Sequence, residues 1–446
     1  MSLMARLERE KADIQGLSKE SVKVNDDPFR DLKYRIQNKI IEEISMDLNE
    51  LNGDNGKLKR EIEEIINIGI EGENLNISRT EKERIHQGIL DETMGFGPIT
   101  QLIRDKDVSE IMVNGPNQVY IEKKGKLTLS HVKFKDDRHV LRVIEKIVSP
   151  LGRRIDEGSP MVDARLPNGS RVNAIIPPLA LNGPTITIRK FSEDPFTIGD
   201  LMNFGTLSLQ MSEFIKACIE GKLNIVVSGG TGSGKTTTLN VLSSFIPNDE
   251  RIVTIEDAAE LQLWQDHVVR LETRPANIEG KGAITIRDLV KNSLRMRPDR
   301  IVVGEVRSGE ALDMLQAMNT GHDGSLTTGH ANSPRDMLSR LETMVLMAGM
   351  EIPVKAIREQ IASAIDIIVQ QSRLRDGSRR ITHITEVQGM EGDVIILQDI
   401  FKYEQGRNSM NTKDNTGFVF TGIKPKLLKK LEENKVNVPS HIFMKG

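Results

Sequence analysis

The sequence has little cysteine, few aromatic residues and no long apolar run. Cys218 is the one cysteine among 446 residues, so the chain cannot build an internal disulfide framework. No stretch approaches the roughly 18 apolar residues that a membrane-spanning helix needs. Residues 1–10 alternate charged with apolar side chains and offer no apolar segment of the kind found in a signal peptide. We therefore expect a protein of the reducing cytoplasm whose membrane contact is peripheral only.

The sequence also lacks an excess of charge of either sign. It has 61 Lys and Arg against 64 Asp and Glu, a formal net charge of −3. Its 12 Phe, 3 Tyr and 1 Trp are mostly isolated along the chain, whereas single-stranded nucleic-acid channels interleave aromatic with basic side chains. We therefore expect no direct contact with nucleic acid. The length suggests two or three domains at about 150 residues each.

Apolar spacing predicts a helical module in residues 1–90. A first amphipathic helix has apolar residues three and four positions apart, at Leu32, Ile36, Ile40, Ile44, Leu48 and Leu51. A second helix carries the same pattern through Leu58 and Ile62. Ser78 and Glu81 form a capping box that would open a third helix.

The pattern changes twice after this module. Residues 91–195 read as short strands around one helix that ends at Ser149-Pro150, and they include strand residues over 126–134, which predicts an α+β domain. Residues 195–205 read as a connector. Strands and helices alternate in residues 196–446, a pattern typical of a parallel sheet flanked by helices. The predicted fold class is thus α/β, with three segments at 1–90, 91–195 and 196–446.

A phosphate-binding loop follows the first apolar strand of the third segment. Residues 229–236 read Gly-Gly-Thr-Gly-Ser-Gly-Lys-Thr and match the pattern G-x4-G-K-[ST] between a strand and a helix. The glycines let backbone N–H groups point at phosphate oxygens, and the helix N-terminus adds positive potential. Lys235 would reach the β- and γ-phosphates, and Thr236 would bind Mg²⁺. The predicted ATP-binding residues are Gly229, Gly230, Thr231, Gly232, Ser233, Gly234, Lys235, Thr236 and Thr237.

Hydrolysis also needs a residue that orients the attacking water. The strand 300–305 delivers Glu305 at its carboxyl end, where ligands sit in open α/β sheets, so we assign that role to Glu305. Gly304 stands where a magnesium-binding Asp is common, so the metal would rely on Thr236, nucleotide oxygens and water. A second cluster, with Glu256 and Glu260, also ends a strand. His322 and His330 bound a polar strand, and His330 is a candidate for sensing phosphate.

These motifs together resemble the secretion ATPases of the type II/type IV superfamily. The phosphate loop, the acidic box 255–260, the strand 301–305 and the histidine box 321–330 occur in that order. Further stretches resemble the CpaF-type branch, which powers tight-adherence (Flp-type) pili. They are Phe96-Gly-Pro-Ile, Ser109-Glu-Ile-Met-Val-Asn-Gly, 148–155, 160–174 and 187–191. The resemblance covers roughly residues 90 to 440.

The resemblance implies a PAS-like domain preceding a RecA-like P-loop ATPase domain. It also implies a homo-hexamer that hydrolyses ATP and acts on an inner-membrane platform protein, from the cytoplasmic face of the membrane. Arginines of the upper domain would reach the γ-phosphate, and the matching positions are Arg165, Arg171 and Arg189. Arg295 and Arg307, which flank the Glu305 strand, are weaker candidates for the same role.

Three kinds of function stay open at this point: an assembly or secretion motor, a nucleic-acid motor and a nucleotide-gated scaffold. A four-cysteine zinc module, found in many type II secretion ATPases, cannot form with one cysteine. The CpaF-type branch and other type IV secretion traffic ATPases both remain. A RecA-like nucleic-acid motor would need DNA-stimulated turnover, and a nucleotide-gated scaffold would bind ATP without hydrolysing it.

Overall fold

The structure is a computed structural model that describes residues 29–47, 55–72, 77–123, 125–191, 195–276, 280–404 and 417–443. These residues form two compact units, one on each side of the bond between Ser192 and Glu193. The domain limits that we derived from the sequence, at 90 and 195, stay predictions. Leu48 and Leu51, two positions of the first predicted helix, lie outside the described residues.

Three helices open the first unit: α1 (Arg30–Asp47), α2 (Asn55–Glu71) and α3 (Arg79–Thr93). Their apolar faces pack into one cluster, in which Ile36, Ile62 and Ile85 are buried. The predicted capping box is present at the start of α3. The Ser78 hydroxyl accepts a hydrogen bond from the Glu81 N–H at 3.3 Å, and the Glu81 carboxylate accepts one from the Ser78 N–H at 3.1 Å.

The rest of the first unit is an antiparallel sheet with a helix on one face. Its elements are α4 (Thr100–Arg104), β1 (Val108–Asn114), β2 (Val119–Lys123), β3 (Lys126–Leu129), α5 (Asp137–Val148), β4 (Met161–Arg165), β5 (Arg171–Ile175) and β6 (Thr185–Arg189). The six described strands lie in the order β3-β2-β1-β6-β5-β4. Ile144 of α5 and Ile188 of β6 belong to the core between helix and sheet. The predicted strand over 126–134 was too long, because β3 is an exposed edge strand that ends at Leu129.

The second unit contains the sheet that carries the phosphate loop. Its elements are α6 (Ile198–Asn203), α7 (Leu209–Glu220), β7 (Ile225–Gly229), α8 (Lys235–Ser243), β8 (Ile252–Glu256), β9 (Val268–Glu272), α9 (Ile286–Ser293), β10 (Arg300–Val306), α10 (Glu310–Asn319), β11 (Leu326–Gly329), α11 (Pro334–Leu346), α12 (Val354–Ala364), β12 (Ile367–Arg373), β13 (Arg379–Glu391), β14 (Val394–Tyr403), β15 (Phe418–Phe420) and α13 (Leu428–Glu433). The described strands lie in the order β15-β14-β13-β12-β7-β11-β10-β8-β9.

This sheet is parallel from β12 to β9 and antiparallel from β12 to β15. One core contains Phe214 of α7 and Leu239 of α8, and another contains Leu312, Leu341 and Ile357 of α10 to α12. The alternation of strands and helices therefore gave the α/β class correctly. The predicted connector 195–205 was wrong in part, because α6 lies within it and is capped by Thr197.

Candidate functional site

The phosphate loop lies between a fully buried strand and a helix, as the sequence predicted. All five residues of β7 are buried, and α8 begins at Lys235. Gly234 precedes the helix with φ 95°, a left-handed conformation that favours glycine. A Cβ at this position would also lie 3.1 Å from Cδ of Arg379, so a larger residue would meet both strain and contact.

The nine predicted nucleotide-binding residues form one continuous turn from the end of β7 into the first turn of α8. The Lys235 side chain is 7% exposed, and its Nζ donates to the Gly230 carbonyl at 3.2 Å. The Ser233 hydroxyl is buried with no hydrogen-bond partner among the described residues. A buried cation, an unsatisfied hydroxyl and a helix N-terminus together suit a bound phosphate chain.

The donor set suits a magnesium ion that arrives with the nucleotide. The part of the chain that the structure describes contains no cluster of three or more His, Cys, Asp or Glu able to hold a metal. Thr236 lies in the first turn of α8, beside Lys235, and is partly exposed. Its hydroxyl would be the protein ligand to Mg²⁺, with nucleotide oxygens and water completing the shell. The ion would neutralise charge on the phosphates.

Gly304 has a packing reason to be glycine. A Cβ on Gly304 would lie 2.9 Å from Cγ of Glu256 on the neighbouring strand β8. The Asp that is common at this position in other phosphate-loop proteins would therefore displace Glu256. This explains the departure that the sequence showed, and it leaves Thr236 as the proposed protein ligand to the metal.

Glu305, His330 and Lys235 lie in one chain of close contacts. Nε2 of His330 lies 2.7 Å from Oε1 of Glu305, and Nδ1 of His330 lies 3.3 Å from Nζ of Lys235. These residues come from β10, from the residue after β11 and from the start of α8. The parallel strand order brings their carboxyl ends to one edge of the sheet, so the structure assembles three predicted site residues that are 25 to 95 positions apart.

Arg307 extends this chain of contacts. Its Nη2 donates to Oε2 of Glu305 at 2.6 Å, and its Nη1 lies 3.8 Å from Oδ2 of Asp257. The hydrogen bond with Glu305 raises the pKa of the Arg307 guanidinium. A cation thus holds the Glu305 carboxylate from one side while His330 contacts it from the other.

Glu256 is buried under this cluster. Its side chain is 3% exposed, and Oε2 accepts hydrogen bonds from the backbone N–H groups of Glu260 at 2.8 Å and Leu261 at 3.1 Å. Oε1 is buried without a hydrogen-bond partner among the described residues. Burial raises the pKa of Glu256 to about 7, although the two backbone N–H groups act in the opposite direction. Glu256 therefore shapes the loop that carries the partly exposed Glu260.

The two histidines of the box 321–330 are separated by strand β11. His330 follows the carboxyl end of β11, beside Lys235, whereas His322 precedes its amino end. Nδ1 of His322 is buried there without a hydrogen-bond partner among the described residues. Only His330 of the two therefore contacts the phosphate-loop lysine in the described structure.

The three predicted upper-domain arginines stand side by side in the first unit. Arg165 of β4 pairs with Arg171 of β5, and Arg171 pairs with Arg189 of β6. Glu110 of β1 is next in the row, 4.0 Å from Nε of Arg189. Like charges that face each other across strands destabilise a sheet, so a row of three arginines is well suited to an anionic ligand.

Two residues that the sequence analysis missed also contact the phosphate loop. The Gln371 side chain of β12 accepts a hydrogen bond from the Thr238 hydroxyl at 2.7 Å. Nε of Arg379, at the start of β13, donates to the Gly232 carbonyl at 3.1 Å. They lie more than 130 residues from the loop in sequence, and only the parallel pairing of β12 with β7 brings them near it. No local motif marks them.

Comparison with known proteins identifies the family. The model of the family "Type II/IV secretion system protein" matches residues 92–403, and that of the type II secretion system protein E N-terminal domain matches residues 29–94. A putative conjugal transfer protein of Mycobacterium tuberculosis is 35% identical over 309 residues, which are 68% of this chain and 87% of that protein.

Two further relatives are VirB11 proteins. The type IV secretion system protein VirB11 of Bartonella henselae is 31% identical over 326 residues, covering 64% of this chain and 90% of that protein. The crystal structure of the VirB11 ATPase of Brucella suis is 29% identical with a TM-score of 0.35, covering 64% of this chain and 91% of that one. The predicted fold class, a RecA-like P-loop domain after an α+β domain and a helical segment, is confirmed. The chain belongs to the family of type II/IV secretion system ATPases.

Proposed function

We propose that this chain hydrolyses ATP at the phosphate loop as one subunit of a homo-hexamer. The observation that carries the proposal is the contact chain from Lys235 through His330 to Glu305. In this chain the His330 ring lies between two groups. Lys235, which we propose binds phosphate, contacts Nδ1, and Glu305, which we propose orients water, contacts Nε2. In this arrangement Lys235 holds the β- and γ-phosphates, and Glu305 orients the water that attacks the γ-phosphorus.

Each remaining site residue has a proposed role in the same reaction. The backbone of residues 229–234 cradles the phosphates, and Thr236 holds Mg²⁺. His330 positions Glu305 and responds to the γ-phosphate through Lys235. Glu260 and Glu256 form the acidic wall beside Glu305, and Glu256 acts by shaping the loop. Arg165, Arg171 and Arg189 supply charge to the γ-phosphate of a neighbouring subunit.

The substitution Glu305→Gln tests the hydrolytic role. The amide keeps the size and one acceptor of the carboxylate but cannot orient water as strongly, so we expect turnover to fall by about 100-fold or more. ATP affinity should stay within about threefold of the wild type, because Lys235 and the loop are unchanged. The measurements are phosphate release and equilibrium ATP binding. Unchanged turnover would favour a nucleotide-gated scaffold over a motor.

We further propose that hydrolysis powers pilus assembly or protein secretion through an inner-membrane platform protein, as in the CpaF-type branch. The motifs over residues 90 to 440 support this branch. The similarity to a conjugal transfer protein and to VirB11 favours a second candidate, a type IV secretion traffic ATPase of another branch. A host strain that carries only Glu305→Gln should lose surface pili in the first case and lose type IV transfer in the second.

The proposed place of action is the cytoplasmic face of the cell membrane, reached through a partner protein. Among the residues that the structure describes, no helix combines the length and apolarity needed to cross a membrane. Recovery of the chain with membranes should therefore depend on the platform protein. Membrane binding by the chain alone, on vesicles without protein, would contradict this proposal.

A further inference from the structure

The hairpin between β12 and β13 presents several arginines next to the phosphate loop. Its turn is closed by a hydrogen bond from the Leu374 N–H to the Ser378 carbonyl at 2.8 Å. Arg373 and Arg379 face each other across the two strands, and both are exposed. Neither forms a salt bridge with a carboxylate among the described residues. Two like charges opposite each other disfavour the hairpin, so no ion pair within the hairpin accounts for this pair of arginines.

Arg379 is held against the phosphate loop by one of its three guanidinium nitrogens. Its Nε donates to the Gly232 carbonyl at 3.1 Å, and its Cδ lies 3.1 Å from the place of a Cβ on Gly234. Within the described part of the chain, the two terminal nitrogens have no hydrogen-bond partner. The aliphatic stem therefore lies along the loop while the outer part of the guanidinium plane stays open.

The sheet order decides which end of a bound nucleotide would meet Arg379. Strand β12 is next to β7 on one side, and β11 and β10 lie on the other side. Glu305 lies near the carboxyl end of β10 and His330 follows β11, so the γ-phosphate that reacts must face that side. The nucleoside end of the same molecule then extends toward β12 and its hairpin. This step rests on the proposed function, because it assumes that ATP binds at the phosphate loop.

We propose that Arg379 is a nucleoside-binding residue, which stacks its guanidinium plane on the base of the bound nucleotide. Nε remains on the Gly232 carbonyl, so the same side chain ties the base to the loop that holds the phosphates. Arginine suits this task because its guanidinium is planar and stacks on aromatic faces, which the ammonium of lysine cannot do. Arg379 thereby adds a contact that distinguishes a nucleotide from a bare polyphosphate chain.

The test compares three ligands on the full chain with Mg²⁺: a non-hydrolysable ATP analogue, ADP and inorganic tripolyphosphate. Calorimetry on Arg379→Gln should show about a tenfold loss of affinity for the two nucleotides, the size expected for one stacking contact. Tripolyphosphate affinity should stay within about twofold of the wild type, since the loop keeps all its phosphate donors. Arg375→Gln removes the same charge from the turn of the same hairpin and should leave all three affinities unchanged.

Several outcomes would overturn the proposal. An equal loss for tripolyphosphate would mean that Arg379 only supports the loop, and an equal loss in Arg375→Gln would mean a general effect of charge. Unchanged nucleotide affinity in Arg379→Gln would overturn it as well. If that variant does not fold, Arg379→Lys keeps the charge and a donor for Gly232 and should show the same selective loss. A wild-type chain that binds nucleotides but does not hydrolyse ATP would defeat the proposed hydrolysis and leave this inference standing.

Discussion

The charge state of a site side chain follows from its burial and from its charged neighbours. Burial first, and the charge of Lys235 second, lower the pKa of His330. The imidazole is then neutral near pH 7, and it lies between Lys235, whose Nζ is 3.3 Å from Nδ1, and Glu305, whose Oε1 is 2.7 Å from Nε2. When ATP enters, its phosphates compete with Nδ1 for the Lys235 ammonium. We therefore propose that His330 responds to an occupied loop because Lys235 gives up its contact with Nδ1.

The pKa of Glu256 is raised, because the effect of burial exceeds that of its two backbone hydrogen bonds. Its carboxyl keeps one buried oxygen without a partner among the described residues, and its pKa is about 7. A protonated Glu256 lowers the repulsion that three neighbouring acids would otherwise cause. The sequence showed the neighbouring acids Glu256, Asp257 and Glu260 but not this burial, because the approach of Glu256 to Gly304 arises from two strands that are distant in sequence.

The substitution Glu256→Gln tests this protonation state. The folded-state pKa lies above the ordinary value of 4.5, so the contribution of Glu256 to stability is present below pH 4.5 and lost as the pH rises through about 7. The amide has no such loss and keeps an acceptor for the loop N–H groups. We expect the variant to gain roughly 2 kcal/mol in unfolding free energy over the wild type at pH 8, and only about 0.5 kcal/mol at pH 5.

Urea unfolding at both pH values, followed by circular dichroism, measures this difference. Glu260→Gln is the control, because its side chain is partly exposed on the same loop. If the difference in unfolding free energy between Glu256→Gln and the wild type were the same at pH 5 and pH 8, that result would count against a buried, protonated Glu256.

At the scale of elements, strand pairing decides which distant residues become neighbours. The row Arg165, Arg171 and Arg189 exists because β4, β5 and β6 pair in a register that places the three positions side by side. The pairing of β12 with β7 likewise carries the hairpin of Arg379 to the phosphate loop. The resemblance named the arginines, but the residues alone did not predict their common row.

The arginine row predicts complementation between defective subunits. The double variant Arg171→Ala/Arg189→Ala should lower turnover by about 100-fold or more. Arginines supplied by a neighbouring subunit contribute on the order of 10³-fold or more in other phosphoryl-transfer reactions. Lys235→Ala should abolish ATP binding. Mixed in equal amounts, the two variants should recover activity that neither has alone, because an arginine of one subunit then serves the phosphate loop of another.

Phosphate release against the mixing ratio is the measurement. A mixture as inactive as its parts would contradict action between subunits. Arg138→Ala, at an exposed position on α5 of the same unit, is the matched control for the loss of an arginine and should leave turnover within about twofold.

Helix α3 is joined to the sheet domain by a carboxylate and an imidazole. Oε1 of Glu92, at the end of α3, lies 2.9 Å from Nε2 of the buried His139 of α5. Burial opposes ionisation of Glu92, but the hydrogen bond from His139 and the nearby charges of Lys135 and Lys146 outweigh it and lower its pKa to about 2. This contact stabilises the first unit at neutral pH.

Glu92→Gln should lower the unfolding free energy of the first unit and make that free energy less dependent on pH in acid. Since the folded-state pKa lies below 4.5, the contribution of Glu92 is present above pH 4.5 and lost as the pH falls through about 2. We expect the variant to lose about 1–2 kcal/mol at pH 7, less than the full pKa difference because the side chain is 20% exposed.

Urea unfolding at pH 7 and pH 3, monitored by helical ellipticity, tests this. Glu83→Gln removes an exposed ion pair with Arg79 on the same helix and should change stability by less than about 0.5 kcal/mol. If Glu92→Gln lost no more unfolding free energy than Glu83→Gln, the contact with His139 would not be stabilising.

At the scale of the whole molecule, the proposed motor requires assembly. A chain whose arginines act on a neighbour's phosphate is incomplete alone, so turnover per chain should rise with protein concentration. With ATP and Mg²⁺ at micromolar concentration, light scattering should give the mass of six chains. A monomer that is fully active under the same conditions would contradict the hexamer and the in-trans role together.

The charge balance bears on the alternative of a nucleic-acid motor. With 61 basic and 64 acidic side chains, we expect DNA to leave turnover unchanged within about twofold at low salt. A stimulation that disappears as the salt concentration rises would favour the nucleic-acid motor instead.

The sequence by itself determined the parts that depend on neighbouring residues. The phosphate loop, the capping box at Ser78 and the alternation of strands with helices are local patterns, because backbone conformation and helix starts follow from a few adjacent side chains. Glu305 could be placed because a buried strand delivers the residues near its carboxyl end to a known edge of the sheet.

Only the tertiary structure decided which of these parts touch. The order of parallel strands put His330 between Lys235 and Glu305, left His322 at the far end of β11, buried Glu256 against Gly304 and brought Arg379 to Gly232. Such contacts join residues that lie 25 to 147 positions apart, and no local pattern in the chain encodes their distances. The physical reason is that strand order and register follow from packing of the whole sheet, which sums many weak contacts across the unit.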